Sequence, residues 1–144
     1  MRAYHNHRLG NFVRRVFGNH LLIVDLGMIL AAVAAYAVNR GFAGVLRGRF
    51  MRGHFNDLMA GVFFPAYVNI WLALGGYRLR GWICPLLCTL ATGCVWEFVA
   101  PLYRPQSVSD PLDLVAYLAG TLIYCVVNHL AMKRRGENPA DKPK

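Results

Sequence analysis

The chain has 144 residues, of which 56% are hydrophobic and only 16% charged, and its formal net charge is +9 at neutral pH. Soluble domains carry roughly 25% charged residues, so this composition excludes an ordinary water-soluble domain. The length suits a single domain, and the apolar residues are gathered in blocks rather than scattered along the chain.

Four apolar blocks of 17 to 19 residues follow one another, at 21–38, 58–74, 82–100 and 114–132. A helix needs about 17–25 mostly apolar residues to cross a membrane, and these blocks lack the regular polar stripe of a soluble bundle helix. The sequence therefore predicts an all-α fold, a four-transmembrane-helix bundle that occupies residues 21–132.

Both ends of the chain are basic and differ from the apolar blocks. Residues 1–20 place arginines beside apolar residues, a pattern that predicts a basic amphipathic N-terminal segment at the membrane interface. Residues 133–144 are charged and contain proline, so they are expected to form a flexible tail.

The distribution of lysine and arginine predicts the orientation in the membrane. In a four-span chain the two termini and the connection between the second and third spans share one side, and these segments carry eleven of the 16 basic residues. The other two connections carry five. Because positive residues favour the cytoplasmic side, we expect a multi-pass protein with both termini in the cytoplasm.

The first external connection, residues 39–53, is itself basic. Arg47, Arg49 and Arg52 alternate there with apolar residues and glycines. One interpretation is an interfacial segment that lies among lipid headgroups. The other is an arginine-rich lid over a phosphate or an anionic lipid, since the guanidinium fork matches phosphate oxygens.

Polar residues gather at the external ends of the predicted spans. The second span starts outside, the third ends outside and the fourth starts outside, so one layer receives residues from all three. The candidate site residues of this layer are His54, Asp57, Glu97, Arg104, Asp110 and Asp113. Glu97 is the most informative, because it lies inside an apolar span where a lone carboxylate is costly. Arg104 is its expected partner.

The aspartates of this layer also have a purely structural explanation. Asp57 and Asp113 lie in the first turns of their helices, where a carboxylate offsets the helix dipole. Asp110 precedes Pro111, which is typical of an N-cap followed by proline at the first helical position. Capping does not explain Glu97, because the dipole at a helix carboxyl end disfavours an anion.

The order and spacing of these residues form a recognisable series. His54 opens the second span, Glu97 is followed seven residues later by Arg104, and Asp113 is followed seven residues later by Gly120. Over about residues 54–124 the series resembles the VanZ-like family of small bacterial membrane proteins. The resemblance implies a function in the bacterial cell envelope and a location in the cytoplasmic membrane, with some members linked to glycopeptide-antibiotic resistance.

The chain also departs from the pattern of that family. Tyr117 stands where the family has an asparagine near the helix start, and the lysine usual before the histidine is absent. The resemblance implies a place for the site and no named reaction.

A second group of potential ligands lies at the opposite ends of the spans. Cys84 and Cys88 are four residues apart at the start of the third span, and so are Cys125 and His129 near the end of the fourth. Three thiolates and an imidazole can bind zinc tetrahedrally. The alternatives are that the cysteines pack as small apolar residues and that His129 pairs with Asp25.

These features leave three functions open. The first is an envelope protein that recognises a lipid or a lipid-linked phosphate through Arg104, the basic connection and Asp110 with Asp113. The second is an enzyme that acts on a phosphate ester, with Glu97 as general acid or base. The third is a subunit or assembly factor of a larger membrane complex.

In the enzyme hypothesis, Arg104, His54 and Asp57 assist Glu97, and a hard cation is held by Asp57, Asp110 and Asp113. The sequence indicates no particular cofactor. The expected partners are membrane lipids and either a second copy of the chain or a larger membrane protein, and no nucleic acid.

Overall fold

The computed structural model describes residues 20–42, 48, 53–103 and 110–134. Within these ranges the fold is helical and contains no strand. The helices are α1 (His20–Phe42), α2 (Phe55–Leu74), α3 (Ile83–Cys94), α4 (Ala100–Tyr103) and α5 (Pro111–Arg134), and a π-helical segment, Val95–Val99, joins α3 to α4. The prediction of an all-α fold is confirmed for this part of the chain.

Three helices are long and apolar enough to cross a membrane. These are α1, α2 and α5, with 23, 20 and 24 residues. At 1.5 Å per residue each is about 30 Å or longer, the thickness of a hydrocarbon core. They extend beyond the predicted blocks and include polar residues such as Asp57 and Asp113 in their first turns.

The predicted span 82–100 is built differently from the other three. Its apolar helical run, Ile83–Val99, is shorter than those of α1, α2 and α5. The regular α-helix ends at Cys94, and the next five residues form the wider π-helical turn. The fold therefore contains three candidate membrane-crossing helices and one shorter apolar helix in the described ranges.

Helix α2 packs against both α1 and α5, and α3 packs against α5. The α2–α5 crossing is very close at two glycines. A Cβ atom on Gly61 would lie 2.1 Å from the carbonyl oxygen of Tyr117, and one on Gly120 would lie 2.0 Å from that of Leu58. Small residues let helix backbones approach in membranes, so Gly61 and Gly120 have a packing role here.

The buried core is small, whereas the outer faces of the helices remain apolar. Met28, Ala32, Val62, Ala66, Tyr124 and Cys125 form the core. Large side chains such as Leu30, which is 62% exposed, point away from it. Lipid tails solvate such surfaces without the cost that water would impose, and this arrangement suits helices that lie in a membrane.

The connection between α2 and α3 folds back toward the bundle. Gly76 and Gly81 adopt positive φ angles of 79° and 66°, which residues with a Cβ atom rarely adopt. Between them, the guanidinium of Arg78 reaches the buried carboxylate of Asp25. This turn therefore closes one end of the bundle.

Candidate functional site

His54 and Asp113 meet where α2 and α5 begin. Nδ1 of His54 lies 2.6 Å from Oδ1 of Asp113, and both side chains are only about one-fifth exposed. The two residues are 59 positions apart in the chain. They belong to a polar group that we name the carboxylate cluster, which comprises His54, Asp57, Glu97, Asp110, Asp113 and Tyr117.

Asp57 is bound by a hydroxyl from α5. The Tyr117 hydroxyl donates a 2.9 Å hydrogen bond to Oδ1 of Asp57. Asp57 lies in the first turn of α2, as predicted, but its side chain turns toward the neighbouring helix. Tyr117 thus reaches into the cluster, and the sequence did not indicate it as a site residue.

Glu97 is buried in the π-helical segment, with 6% of its surface exposed. Its Oε2 atom accepts a 3.2 Å hydrogen bond from the backbone N–H of Asp110. Glu97 thus lies near the end of its own helix but at the amino end of α5, where the dipole of α5 favours an anion. Arg104, its predicted partner, lies outside the described residues, so that pairing stays a prediction.

Asp110 has the capping role that the sequence predicts. Its Oδ1 atom accepts a 2.9 Å hydrogen bond from the backbone N–H of Leu112, and Pro111 is the first residue of α5. Because this carboxylate is committed to the helix end, it is a poor candidate for the cation site proposed with Asp57 and Asp113.

His54, and not Asp110, joins Asp57 and Asp113 in a group whose spacing suits a metal ion. One ligand atom from each of His54, Asp57 and Asp113 lies within 4.8 Å of the others, and all three side chains are half-buried. This group combines an imidazole with two carboxylates, whereas the sequence suggested three carboxylates.

The hydrogen bond to Asp113 raises the pKa of His54 above its ordinary value of 6.5. The negative charges of Asp113, Asp110 and Asp57 act in the same direction, while the partial loss of water opposes them. The charged imidazolium is thus favoured by its neighbours.

A cavity of about 410 Å³ lies next to the carboxylate cluster. Helices α1, α2, α3 and α5, together with the π-helical segment, contribute to its wall, which is mostly apolar and includes Val33, Phe63 and Trp96. Asp57 and Tyr117 line the cavity as well. One space therefore joins an apolar wall to the polar atoms of the cluster.

Asn56 adds a further polar group to the cavity wall. Its Oδ1 atom accepts a 3.1 Å hydrogen bond from Nδ2 of Asn39 near the end of α1. This bond joins α1 to the start of α2, and it places another amide at the same end of the bundle.

A second polar group surrounds Asp25 at the other end of the bundle. Asp25 is fully buried and accepts three hydrogen bonds. Oδ2 accepts from Arg78 at 2.8 Å, and Oδ1 accepts from the Tyr124 hydroxyl at 2.9 Å and from Nδ2 of Asn128 at 3.0 Å. The carboxylate therefore has an ion-pair partner and two neutral donors.

Asn69 extends this group to α2 and to the connection that follows it. Its amide donates to the Tyr124 hydroxyl, and its Oδ1 atom accepts a 2.7 Å hydrogen bond from the backbone N–H of Leu79. Arg78 also donates to Oδ1 of Asn128 at 3.1 Å. We name Asp25, Asn69, Arg78, Tyr124 and Asn128 the Asp25 network.

The predicted thiol and histidine group does not assemble into a metal site in the described residues. Cys84 is exposed while Cys125 is buried, and the metal-sized group that these ranges contain is that of the carboxylate cluster. The suggested pairing of His129 with Asp25 is wrong by one position: Asn128 faces Asp25, and the His129 ring lies 6.2 Å from that of Trp82.

The predicted arginines of the first connection, Arg47, Arg49 and Arg52, lie outside the described residues, as do residues 1–19 and 135–144. Comparison with protein-family models, curated proteins and solved structures finds no match to this chain.

Proposed function

We propose that this chain is an integral membrane protein that binds a membrane lipid, with an acyl chain in the cavity and the headgroup at the carboxylate cluster. Asp57 and Tyr117 carry this proposal, because each belongs both to the cluster and to the cavity wall. A space that joins apolar and polar surfaces in this way suits an amphiphile, and lipids are the amphiphiles that surround such helices.

The proposal includes four membrane spans, with the fourth formed by α3, the π-helical segment and α4. Together these elements run from Ile83 to Tyr103, which at 1.5 Å per residue is about 30 Å. Exposed aromatic side chains, Trp82 and Tyr103, lie at the two ends of this run. Tryptophan and tyrosine are enriched at both membrane interfaces, which supports a crossing by this segment.

We place the carboxylate cluster at the outer face of a bacterial cytoplasmic membrane, with both termini in the cytoplasm. The bias of basic residues supports this orientation, and the resemblance to the VanZ-like family supports a role in the cell envelope. In this proposal Arg104 and the arginines of the first connection, Arg47, Arg49 and Arg52, contact a lipid phosphate.

Filling the cavity tests the proposal. Ala60 lines the cavity and its small side chain is exposed, so Ala60→Trp should occupy space needed by an acyl chain without disturbing the core. We expect lipid retained after gentle extraction, measured by native mass spectrometry, to fall at least about tenfold, which corresponds to roughly 1.4 kcal/mol.

Ala91→Trp is the matched control. Ala91 is also exposed, on α3, but does not line the cavity, so this variant should retain lipid like the unmodified protein. Equal lipid retention by both tryptophan variants and the unmodified protein would rule out the cavity as the acyl-chain site.

A further inference from the structure

The carboxylate cluster contains more negative than positive groups in the described part of the chain. It has four carboxylates and one histidine, and the single ion pair among them joins His54 to Asp113. The described arginine that forms an ion pair, Arg78, belongs to the Asp25 network. Half-buried carboxylates at the end of an apolar bundle are costly without a positive partner.

Neutral hydrogen-bond donors partly stabilise these carboxylates. Asp57 accepts from the Tyr117 hydroxyl, and Glu97 and Asp110 each accept from a backbone N–H. None of these donors carries a charge. Among the described residues the carboxylates of the cluster therefore still outnumber its positive groups, and one of them, Asp57, lines the cavity.

We propose that His54, Asp57 and Asp113 bind one divalent cation at the polar end of the cavity. Their ligand atoms lie within 4.8 Å of one another. Ligands bonded at about 2.1 Å to one ion are about 3 to 4.2 Å apart, so small side-chain rotations complete the site. The geometry is thus close to that required, and a bound ion adds positive charge next to these carboxylates.

The ligand types select the kind of ion. Magnesium and calcium sites in proteins are built from oxygen ligands, whereas an imidazole beside carboxylates suits manganese, zinc and similar first-row divalent ions. Three protein ligands leave coordination positions open. Because Asp57 lines the cavity, we place these open positions on the cavity side.

The cation has a role in lipid binding, and this step rests on the proposed function. A lipid phosphate is repelled by carboxylates, so a positive ion held by Asp57 and Asp113 favours its approach, in addition to the arginines proposed to contact it. A divalent ion held by these residues attracts the phosphate and offers it an open coordination position. The headgroup chemistry is therefore a phosphate that bridges to the protein through the metal.

Titration with Mn²⁺ tests the site directly. The protein is stripped of metal with EDTA and reconstituted into vesicles of an uncharged lipid that contains no phosphate. It is then titrated with Mn²⁺, while free Mn²⁺ is followed by electron paramagnetic resonance. We expect one saturable site, and we expect His54→Gln and Asp113→Asn each to weaken binding at least tenfold, because each removes one of three ligands.

Asp110→Asn is the matched control. Asparagine is as good an N-cap as aspartate, and Asp110 lies outside the three-ligand group, so this variant should bind Mn²⁺ within about twofold of the unmodified protein. Absence of saturable Mn²⁺ binding in the folded, unmodified protein would overturn the proposal. Equal weakening by Asp110→Asn and Asp113→Asn would also overturn it, since it would show a diffuse attraction to acidic groups.

Lipid retention with and without metal separates this inference from the proposed function. If the cation bridges the headgroup, addition of Mn²⁺ should raise retention of a phosphate-bearing lipid at least tenfold over EDTA, and Asp113→Asn should abolish that gain. If Ala60→Trp lowers lipid retention but Mn²⁺ does not change it, lipid binding stands and the bridging of the headgroup by the cation is wrong. If Mn²⁺ binds but the cavity variant retains lipid normally, the cation stands and the acyl-chain site is wrong.

Discussion

The Asp25 network and the carboxylate cluster are both polar groups in an apolar bundle, yet they differ in how their charges are balanced. Asp25 faces one arginine and two neutral donors and is fully buried. The carboxylate cluster has four carboxylates and one histidine in the described residues, and it borders a cavity. The Asp25 network, whose charges are paired, stabilises the fold, whereas the carboxylate cluster beside the cavity is where we propose that a ligand binds.

The two groups share the same helices. On α2, Asp57 and Asn69 are twelve residues apart, or about 18 Å along the axis. On α5, Tyr117 serves the cluster while Tyr124 serves the network. Between them the backbones of α2 and α5 touch at Gly61 and Gly120. The difference in role therefore arises from local partners and not from the scaffold.

The largest expected effect is on stability, from Asp25→Ala. The change leaves Arg78 without its carboxylate and removes an acceptor from Tyr124 and Asn128. Loss of one partner of a buried pair costs about 3–5 kcal/mol. Reversible unfolding in mixed detergent should show this loss, while Asp57→Ala, which removes one hydrogen bond, should cost only about 1 kcal/mol. Equal losses would contradict the contrast between the two groups.

The crossing that joins the two groups should be the next most sensitive place. In Gly120→Ala the new Cβ meets the carbonyl oxygen of Leu58, and backbone atoms cannot yield as a flexible side chain can. We expect a loss of about 1–3 kcal/mol in the same unfolding assay. Gly27→Ala, where the added Cβ meets nothing within 4 Å, should be neutral or stabilising, and a similar loss there would remove the packing explanation.

Tyr117→Phe should affect binding more than folding. The variant keeps the ring and removes the hydroxyl that donates to Asp57, so the free energy of unfolding should fall by only about 1 kcal/mol. Lipid retention should fall severalfold, because Asp57 loses the bond that holds it at the cavity wall. Tyr124→Phe should instead affect folding more than lipid retention, since the Tyr124 hydroxyl donates to Asp25 and Tyr124 does not line the cavity. A loss of lipid in Tyr124→Phe alone would reverse the assignment.

The smallest expected effect is the pH dependence of the His54–Asp113 pair in metal-free protein. Since the pair raises the pKa of His54 above 6.5, its contribution to stability is fully present below pH 6.5. That contribution is lost as the pH rises through the raised pKa. Nuclear magnetic resonance of labelled histidine should show this raised pKa, and Asp113→Asn should bring it down. A pKa of His54 at or below 6.5 in the unmodified protein would show that the pair does not form.

The sequence predicted the helices and much of the cluster for definite physical reasons. Apolar blocks mark membrane-length helices, and alternating helix directions place His54, Asp57 and Asp113 at one level whatever their side-chain contacts. The N-cap role of Asp110 also follows from local chemistry, because it needs only the residue order Asp-Pro.

Other contacts could not be derived from the sequence because they depend on helix rotation and on backbone irregularity. A charged Asp25 within an apolar span requires a partner. Whether Asn128 or His129 faces it depends on a rotation of about 100° about the helix axis. The π-helical turn that buries Glu97 and the reach of Arg78 back from its turn depend on tertiary packing. The cavity likewise emerges only from the packing of several helices.

The central claim is that the carboxylate cluster binds lipid whereas the Asp25 network stabilises the fold. Its most direct test compares Asp57→Asn with Asp25→Asn in one native mass spectrometry experiment on the folded fraction of each protein. Asp57→Asn should fold like the unmodified protein and lose at least about tenfold of its bound lipid, or roughly 1.4 kcal/mol. Asp25→Asn should yield less folded protein, and each folded molecule should keep its lipid. Full lipid on Asp57→Asn together with lipid-free, folded Asp25→Asn would contradict the account.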